Sequence, residues 1–316
     1  IWNATRFALM NLGDYDANRF ADRTSDGPEG TEFELPERWI LSRAQRVSED
    51  VHQALEEFRV ADAAQIIYHY IWNEVCDWYI ELAKARLSKD ASPEVAEQRW
   101  KVQGALVTAL DIAMRLLHPF MPFITEEIWQ KLPKPDTAPQ SIMITLYPIP
   151  DVRFLDEASE SSMEMVQRVI TAIRSVRAER NIPSISRNAV IITVADDYKK
   201  TILDGYKSVV AEQAKCKEIT VRRTGAAPTD PVAVAMAGDI EVMLILESAA
   251  DAGAEREKLQ KERAKLQRDV EFYNKRLGNE AFVAKAPPEV IEKDKAKLAD
   301  TQAALLKLDE ALLRLG

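Results

Sequence analysis

The sequence contains few cysteines, and their placement excludes several kinds of site. Its two cysteines, Cys76 and Cys216, lie far apart, and neither belongs to a CxxC pair or to a cluster with histidine. A disulfide framework and a zinc module of the usual ligand spacing are therefore excluded. We expect a chain that works in the reducing cytoplasm and that holds no metal.

Long apolar runs and common catalytic motifs are also absent. No stretch approaches the roughly 18 apolar residues that cross a bilayer, and no charged-then-apolar leader opens the chain. The motifs GxGxxG, GxxxxGK(S/T), HExxH and GxSxG do not occur, and His52, His69 and His118 have no nearby nucleophile in the sequence. We expect neither a membrane partner nor a catalytic residue. Because the chain begins with Ile1 rather than Met, we also expect it to come from a longer polypeptide.

The residues that are present allow two or three domains, since the chain has 316 residues and 47% of them are hydrophobic. Its formal net charge of −9 disfavours indiscriminate binding of nucleic acid. The charge is uneven, because residues 255–316 hold 14 Lys and Arg against 12 Asp and Glu, which leaves −11 on the remainder. A local basic patch can therefore still hold a nucleic acid.

Residues 1–135 carry apolar side chains at the three- and four-residue steps of amphipathic helices. They predict four or five antiparallel helices with short connections, which is a helical bundle. The central helix is predicted to run over residues 62–87, where five apolar positions share one face: Ile67, Ile71, Val75, Trp78 and Leu82. The polar stretch Ala21–Pro36 is predicted to be a surface loop.

After the proline-punctuated stretch 133–140, the pattern changes to short β-branched segments. Four of these segments are predicted to be strands: Ile142–Tyr147, Asn188–Ala195, Ile219–Arg222 and Asp239–Leu246. Helical periodicity returns at Met163–Arg180 and, more weakly, at Tyr198–Ala214. Residues 136–250 are therefore expected to form a small α/β domain.

Dense charge and heptad spacing mark the last segment, residues 251–316. Leu259, Leu266 and Tyr273 are seven apart, and after a break the same step links four further positions: Ile291, Leu298, Leu305 and Leu312. Two such helices joined by a compact turn make an antiparallel coiled-coil hairpin. The expected fold class is mainly α, with a small α/β domain between the bundle and the hairpin. Because each seam finds its partner in the same chain, we expect a monomer.

These patterns alone leave two functions open. A helical bundle with a projecting hairpin suits a nucleic-acid recognition module. It also suits a protein-interaction scaffold whose hairpin docks another helix.

Five segments carry a resemblance to a known family: WNATRF at 2–7, WNEVCDWYIELAK at 72–84, LLHPFMPFITEEIWQKL at 116–132, IRSVRAERNIP at 173–183 and LGNEAFVAKAPPEVIEK at 277–293. In this order they resemble the C-terminal part of a bacterial-type valyl-tRNA synthetase, a class I aminoacyl-tRNA synthetase. The first three segments are shared with the isoleucyl and leucyl enzymes, whose equivalent region is the alternative. The last two are more particular to the valyl enzyme. The hairpin also favours it, because the isoleucyl relative commonly ends in a zinc-binding module that two isolated cysteines cannot build.

The resemblance implies tRNA recognition, with valine-specific tRNA as the partner. The bundle would read the anticodon through six residues: Arg6, Phe7, Asn73, Asp77, Trp78 and Tyr79. The hairpin would support the outer corner of the tRNA through four residues at or near its tip: Arg276, Asn279, Phe282 and Lys285. An aromatic ring such as that of Phe7 can stack on a splayed base. An arginine such as Arg6 can form an ion pair with a phosphate or a hydrogen bond with a base edge.

In that family the parent enzyme uses ATP and Mg to join valine to its tRNA, through HIGH-type and KMSKS-type motifs. Neither motif occurs in this chain. We therefore expect no cofactor in these 316 residues, and no aminoacylation or editing by them alone.

Overall fold

A computed structural model describes residues 1–29, 31–87, 92–183, 185–225, 228, 230–246, 249–278 and 288–314. The chain divides into two compact units, Ile1–Glu164 and Met165–Gly316. None of the described helices combines the length and the apolar character that crossing a membrane requires.

The first unit is a helical bundle, as predicted. Its described α-helices are α1 Trp2–Met10, α2 Ala17–Thr24, α3 Leu35–Glu56, α4 Val60–His69, α5 Ile80–Ala83, α6 Pro93–Leu117 and α7 Pro122–Lys131. Asp16 caps α2 by accepting a hydrogen bond from Arg19 N (3.0 Å), and Ser92 caps α6 by accepting one from Val95 N (3.3 Å). Proline in the first turn starts α3, α6 and α7, where a helix leaves that N–H unpaired anyway.

The predicted central helix is continuous, but it changes type along its length. After α4 it becomes a π-helix at Tyr70–Tyr79, returns to α-helix in α5 and ends in a 3-10 turn at Lys84–Leu87. Each hydrogen bond of a π-helix reaches five residues back rather than four, so a turn holds more residues. Tyr70, Val75 and Tyr79, at steps of five and four, are consequently the buried residues of this segment together with Ile71.

The prediction of a loop at Ala21–Pro36 is wrong for its first residues, because α2 extends to Thr24. The helix packs through Phe20, whose ring centroid lies 5.5 Å from that of Trp100 on α6. Gly104 on α6 provides the space, since a Cβ atom built there would lie 1.9 Å from Phe20 Cε2. The sequence conceals this helix because Phe20 is its one buried residue.

The predicted strand Ile142–Tyr147 is also wrong, because the segment forms a short 3-10 turn and no strand. Its polar groups bind the bundle instead of a neighbouring strand. The Glu126 carboxylate accepts a hydrogen bond from Ile142 N (3.2 Å), and Tyr147 Oη donates to the Leu116 carbonyl (3.1 Å). The first compact unit accordingly extends to Glu164, beyond the domain boundary predicted at residue 135.

The second unit contains a four-stranded mixed sheet in the order β2-β1-β4-β3. Its strands are β1 Ala189–Thr193, β2 Glu218–Arg222, β3 Val232–Ala237 and β4 Ile240–Ile245. β1 pairs in parallel with β2 and antiparallel with β4, and β4 pairs antiparallel with β3. The helices of this region are α8 Glu157–Glu179, which begins within the first unit, α9 Asp197–Gly205 and α10 Lys207–Gln213.

Three of the four predicted strands are confirmed, as β1, β2 and β4. β3 was not predicted, because its sequence VAVAMA is half alanine, a residue with weak strand preference. Gly238 makes the tight turn from β3 to β4 possible by adopting a φ of +68°.

The predicted hairpin is present as α11 Ala249–Leu277 and α12 Pro288–Arg314. Two ion pairs show that the helices run antiparallel: Arg263 Nε lies 2.5 Å from Asp309 Oδ1, and Arg276 Nε lies 3.2 Å from Asp294 Oδ2. Seam residues such as Leu266 and Leu298 are only half-buried, because two helices can cover one side of each other.

Candidate functional site

Arg6 and Phe7 lie next to each other on α1. Arg6 is exposed and has no ion-pair partner within the described residues. Phe7 is half-buried, and Lys84 Nζ lies 5.8 Å from the centroid of its ring. One turn of helix therefore presents a free cation beside a partly exposed aromatic ring.

Buried polar contacts fix the C-terminal end of α1. Arg99 is 4% exposed, and its Nη2 donates to the Asn11 carbonyl (2.8 Å) while its Nη1 pairs with Asp14. Gln103 Nε2 donates to the same carbonyl (2.7 Å) and to Asp14 Oδ1 (2.9 Å). The hydrogen bond from Arg99, together with that from Gln103, lowers the pKa of Asp14 to about 2. The predicted contact residues of α1 therefore stand on a rigid support.

Three of the predicted residues on the π-helical segment reach its surface. Asn73 and Asp77 are exposed, and Trp78 is half-buried. Asn73 Nδ2 lies 3.1 Å from His69 Nδ1, one turn earlier on the same helix. The segment therefore presents an amide and a carboxylate to solvent.

Tyr79 occupies a different environment from the other predicted residues, because its side chain is fully buried. Its hydroxyl donates to the Val102 carbonyl (3.2 Å) and to Glu37 Oε1 (3.3 Å). Arg86 donates to both oxygens of the Glu37 carboxylate, at 2.7 and 2.8 Å. Burial raises the pKa of Tyr79 and of Glu37, and the Arg86 charge opposes the rise at Glu37. Tyr79 holds the core together and offers no surface to a nucleotide.

The hairpin tip is described only in part. Asn279, Phe282 and Lys285 lie outside the described residues. Arg276 is half-buried, and it pairs with the buried carboxylate of Asp294 on α12. Arg276 therefore ties the two helices together near the tip, which reduces the charge it presents to a partner.

A row of basic side chains, which our sequence analysis missed, runs along α11. Its members are exposed and follow each other at steps of four, three and seven: Lys261, Lys265, Arg268 and Lys275. Three of them follow a seam residue of α11 by two positions, so the row lies on the face opposite α12. At 1.5 Å per residue it extends for about 21 Å. We call these four residues the α11 basic row. The sequence signal for the row is that three of its members lie two positions after a heptad seam residue.

The outer face of α12 is different in composition. It exposes small or apolar residues, Ala296, Ala299, Ala303 and Leu306, together with three charged residues, Glu292, Lys293 and Asp300. The hairpin is consequently basic on the outer face of α11 and mixed in charge on the outer face of α12.

Within the described residues, no three His, Cys, Asp or Glu side chains are grouped so that they could hold a metal ion. The surfaces described above combine cations, aromatic rings and amide or carboxylate groups. Such surfaces can bind a polar, negatively charged partner, and they do not assemble a set of reacting groups.

Comparison with known proteins gives two family matches. The anticodon-binding domain of tRNA ligase matches residues 37–192, and the valyl tRNA synthetase tRNA binding arm matches residues 251–316. The second match covers both helices of the hairpin and therefore the whole α11 basic row.

Curated relatives match along the whole chain. The valine–tRNA ligase of Syntrophotalea carbinolica is 38% identical over 325 residues, covering 100% of this chain and 34% of that protein. The valine–tRNA ligase of Acinetobacter baylyi is 37% identical, covering 99% of this chain and 31% of its own length. The valine–tRNA ligase of Fusobacterium nucleatum is 34% identical, and the match covers 99% of this chain and 34% of that protein. The chain spans about a third of the length of these relatives and matches their C-terminal part.

Proposed function

The chain belongs to the valine–tRNA ligase family, as a C-terminal part of such a protein, and from this premise we propose that it recognises valine-specific tRNA for the enzyme. In this proposal the bundle binds the anticodon and the hairpin binds the outer corner of the tRNA. The parent enzyme joins valine to the tRNA with ATP and Mg. This chain lacks the HIGH-type and KMSKS-type motifs for that step, so its own residues bind and orient the tRNA.

At the anticodon, five residues are proposed to make contact: Arg6, Phe7, Asn73, Asp77 and Trp78. Phe7 stacks on a splayed base, and Arg6 neutralises a phosphate or binds a base edge. The exposed amide of Asn73 and carboxylate of Asp77 supply a donor and acceptors for base edges. Tyr79 is left out of this set because it is fully buried.

The α11 basic row is the observation that carries the proposal for the hairpin. Each nucleotide of RNA brings a phosphate charge, and a line of exposed Lys and Arg neutralises several of them while releasing counterions. The row lies on one rigid helix, α11, which is paired along its length with α12. Arg276, Asn279, Phe282 and Lys285 extend the proposed contact toward the tip.

The protein is further proposed to act as a monomer in the cytoplasm. α11 and α12 cover each other's apolar seam, so the hairpin needs no second copy. Cys76 and Cys216 are both free thiols, which suits a reducing compartment.

Removing two charges from the α11 basic row tests this proposal. The double substitution Lys265→Gln and Lys275→Gln should weaken the binding of valine tRNA. It should also reduce the slope of log affinity against log salt by up to about two, since each lost phosphate contact removes about one. Titration of labelled tRNA at about 50 and about 200 mM salt measures both quantities.

The matched control removes two charges from the other helix of the hairpin. Lys293 and Lys297 are exposed on α12, and their replacement by Gln should change the affinity and the salt slope much less. Equal losses in the two double variants would show a general charge effect and would contradict the proposed face. An unchanged affinity in the α11 variant would remove the row from the binding surface.

A further inference from the structure

Two aromatic rings lie parallel and exposed on the central helix, outside the contacts proposed above. Tyr68 and Trp72 are 54% and 49% exposed. Their ring centroids are 6.2 Å apart and their planes differ by 5°. Offset parallel rings at such a separation are a favourable arrangement. The two rings therefore form a flat apolar surface that is open to solvent.

The helix beneath the rings holds them outward. Tyr68 belongs to the last turn of α4, and Trp72 belongs to the first turn of the π-helix. Their neighbours Ile67, Tyr70 and Ile71 are at most 5% exposed, so they fix the opposite face of the same turns in the core. The two rings consequently stay at the surface without any contact that closes over them within the described residues.

A row of polar side chains runs beside the rings. His69 lies between Gln65 and Asn73, with its Nε2 2.8 Å from Gln65 Nε2 and its Nδ1 3.1 Å from Asn73 Nδ2. A neutral imidazole has one N–H and one lone pair, so one amide NH2 donates to the lone pair, while the other amide accepts from the ring N–H only with its oxygen turned toward the ring. Each amide keeps further donor or acceptor capacity, because all three side chains are exposed. The row can therefore pair with a partner that has both donors and acceptors.

The charge of this segment decides which part of a nucleic acid it suits. Residues 60–83 contain no Lys or Arg, but they contain Asp62, Glu74, Asp77 and Glu81. Asp62, Glu74 and Glu81 pair with Arg59, Arg43 and Lys84, so the segment itself supplies no cation for a phosphate. A nucleobase is uncharged, and it has a π face for stacking and an edge of donors and acceptors.

We propose that Tyr68 and Trp72 stack an unpaired base of the tRNA, whose edge is bound by the row Gln65, His69 and Asn73. The inference rests on the proposed function, because the tRNA must be held by the cationic contacts of Arg6 and the α11 basic row. It adds a second stacking position beyond Phe7. It also places Asn73 with Gln65 and His69 as the residues that bind the edge of the stacked base.

Trp72→Ala in the 316-residue chain tests the inference. Stacking by one aromatic side chain contributes enough that its removal should raise the Kd for valine tRNA about 5- to 100-fold. The salt slope should equal that of the unsubstituted chain, because stacking releases no counterion. Trp72→Phe keeps a stacking face and should recover most of the affinity. Labelled tRNA is titrated at two salt concentrations, and circular dichroism verifies the helical content of each variant.

The control is Phe123→Ala, which removes a ring that is 90% exposed on the first turn of α7 in the same unit. This variant should bind like the unsubstituted chain. Normal affinity in Trp72→Ala, or an equal loss in Phe123→Ala, overturns the inference and leaves salt-dependent tRNA binding, and so the proposed function, intact. If the unsubstituted chain itself fails to bind tRNA, the inference and the proposed function both fall.

Discussion

Glu37 is a carboxylate without access to solvent, and Arg86 is its cationic partner. The guanidinium reaches both carboxylate oxygens from the 3-10 turn at the end of the central helix. Removing one partner of such a pair leaves an uncompensated buried charge, which costs about 3–5 kcal/mol. The pair therefore attaches the end of the central helix to the start of α3.

Arg86→Met should destabilise the bundle by about 3–5 kcal/mol at neutral to basic pH and by less under mildly acidic conditions. Burial already raises the pKa of Glu37, and losing the guanidinium removes the main opposing effect. When the folded-state pKa exceeds the unfolded one, the folded chain binds the proton more tightly, so stability rises as pH falls through the folded pKa. Urea unfolding at several pH values, followed by tryptophan fluorescence, measures the free energy of unfolding of the bundle. All six tryptophans lie in the first unit, so the signal reports on it.

The matched control is Arg86→Met combined with Glu37→Gln, which carries no charge at either position. Its stability should depend much less on pH than that of Arg86→Met alone. An Arg86→Met variant that is equally stable under basic and mildly acidic conditions would show that Glu37 does not depend on the guanidinium.

Arg6, Asn73 and Asp77, which the resemblance named as contacts, are exposed, as positions away from the apolar face of a helix are. Tyr79, which the resemblance also named, is fully buried four residues after the buried Val75, within the segment that changes to a π-helix. Packing against α3 and α6 accompanies that change, and no residue preference in the sequence signals it.

At the scale of elements, α2 depends on a close approach to α6. Phe20 fills the space above Gly104, and its ring also lies 6.0 Å from that of Phe33. Arg19 lies over the Trp100 ring at 4.1 Å from its centroid, so cation–π contact adds to the same interface. A side chain at position 104 would occupy the volume that Phe20 uses.

Gly104→Ala should therefore destabilise the bundle by about 1–3 kcal/mol, the usual cost of overpacking. The added methyl group would lie 1.9 Å from Phe20 Cε2, so the ring must leave its position. Gly13→Ala is the control, since a Cβ atom there meets nothing within 4 Å. Thermal unfolding followed by tryptophan fluorescence compares the two variants. Equal stability of both would show that α2 can shift without cost.

Elements with strong local periodicity were predictable, and elements that depend on tertiary neighbours were not. The helices of the hairpin and β1 agree with their patterns. The segment Ile142–Tyr147 has strand-like residues but binds Glu126 and Leu116 in place of a strand. β3 has weak strand preference and forms because β4 offers it a pairing edge.

At the scale of the whole molecule, charge is distributed unevenly along the chain. The residues before position 255 carry −11, while the segment 255–316 has 14 basic and 12 acidic residues, so the whole chain carries −9. In the proposed function, a chain with this distribution would bind RNA through local basic surfaces rather than through its overall charge. The order of bundle, sheet and hairpin was predictable because composition changes along the sequence. The extent of the first unit was not, since it depends on contacts made by residues 136–164.

The proposed recognition of valine-specific tRNA can be tested by one titration. Labelled valine tRNA and an unrelated tRNA are each titrated with the 316-residue chain at about 50 and about 200 mM salt. We expect tighter binding of the valine tRNA, with an affinity that falls with salt as it does for a few phosphate contacts. Equal affinity for both tRNAs, or no salt-dependent affinity for either, would contradict it and would favour a protein-interaction scaffold.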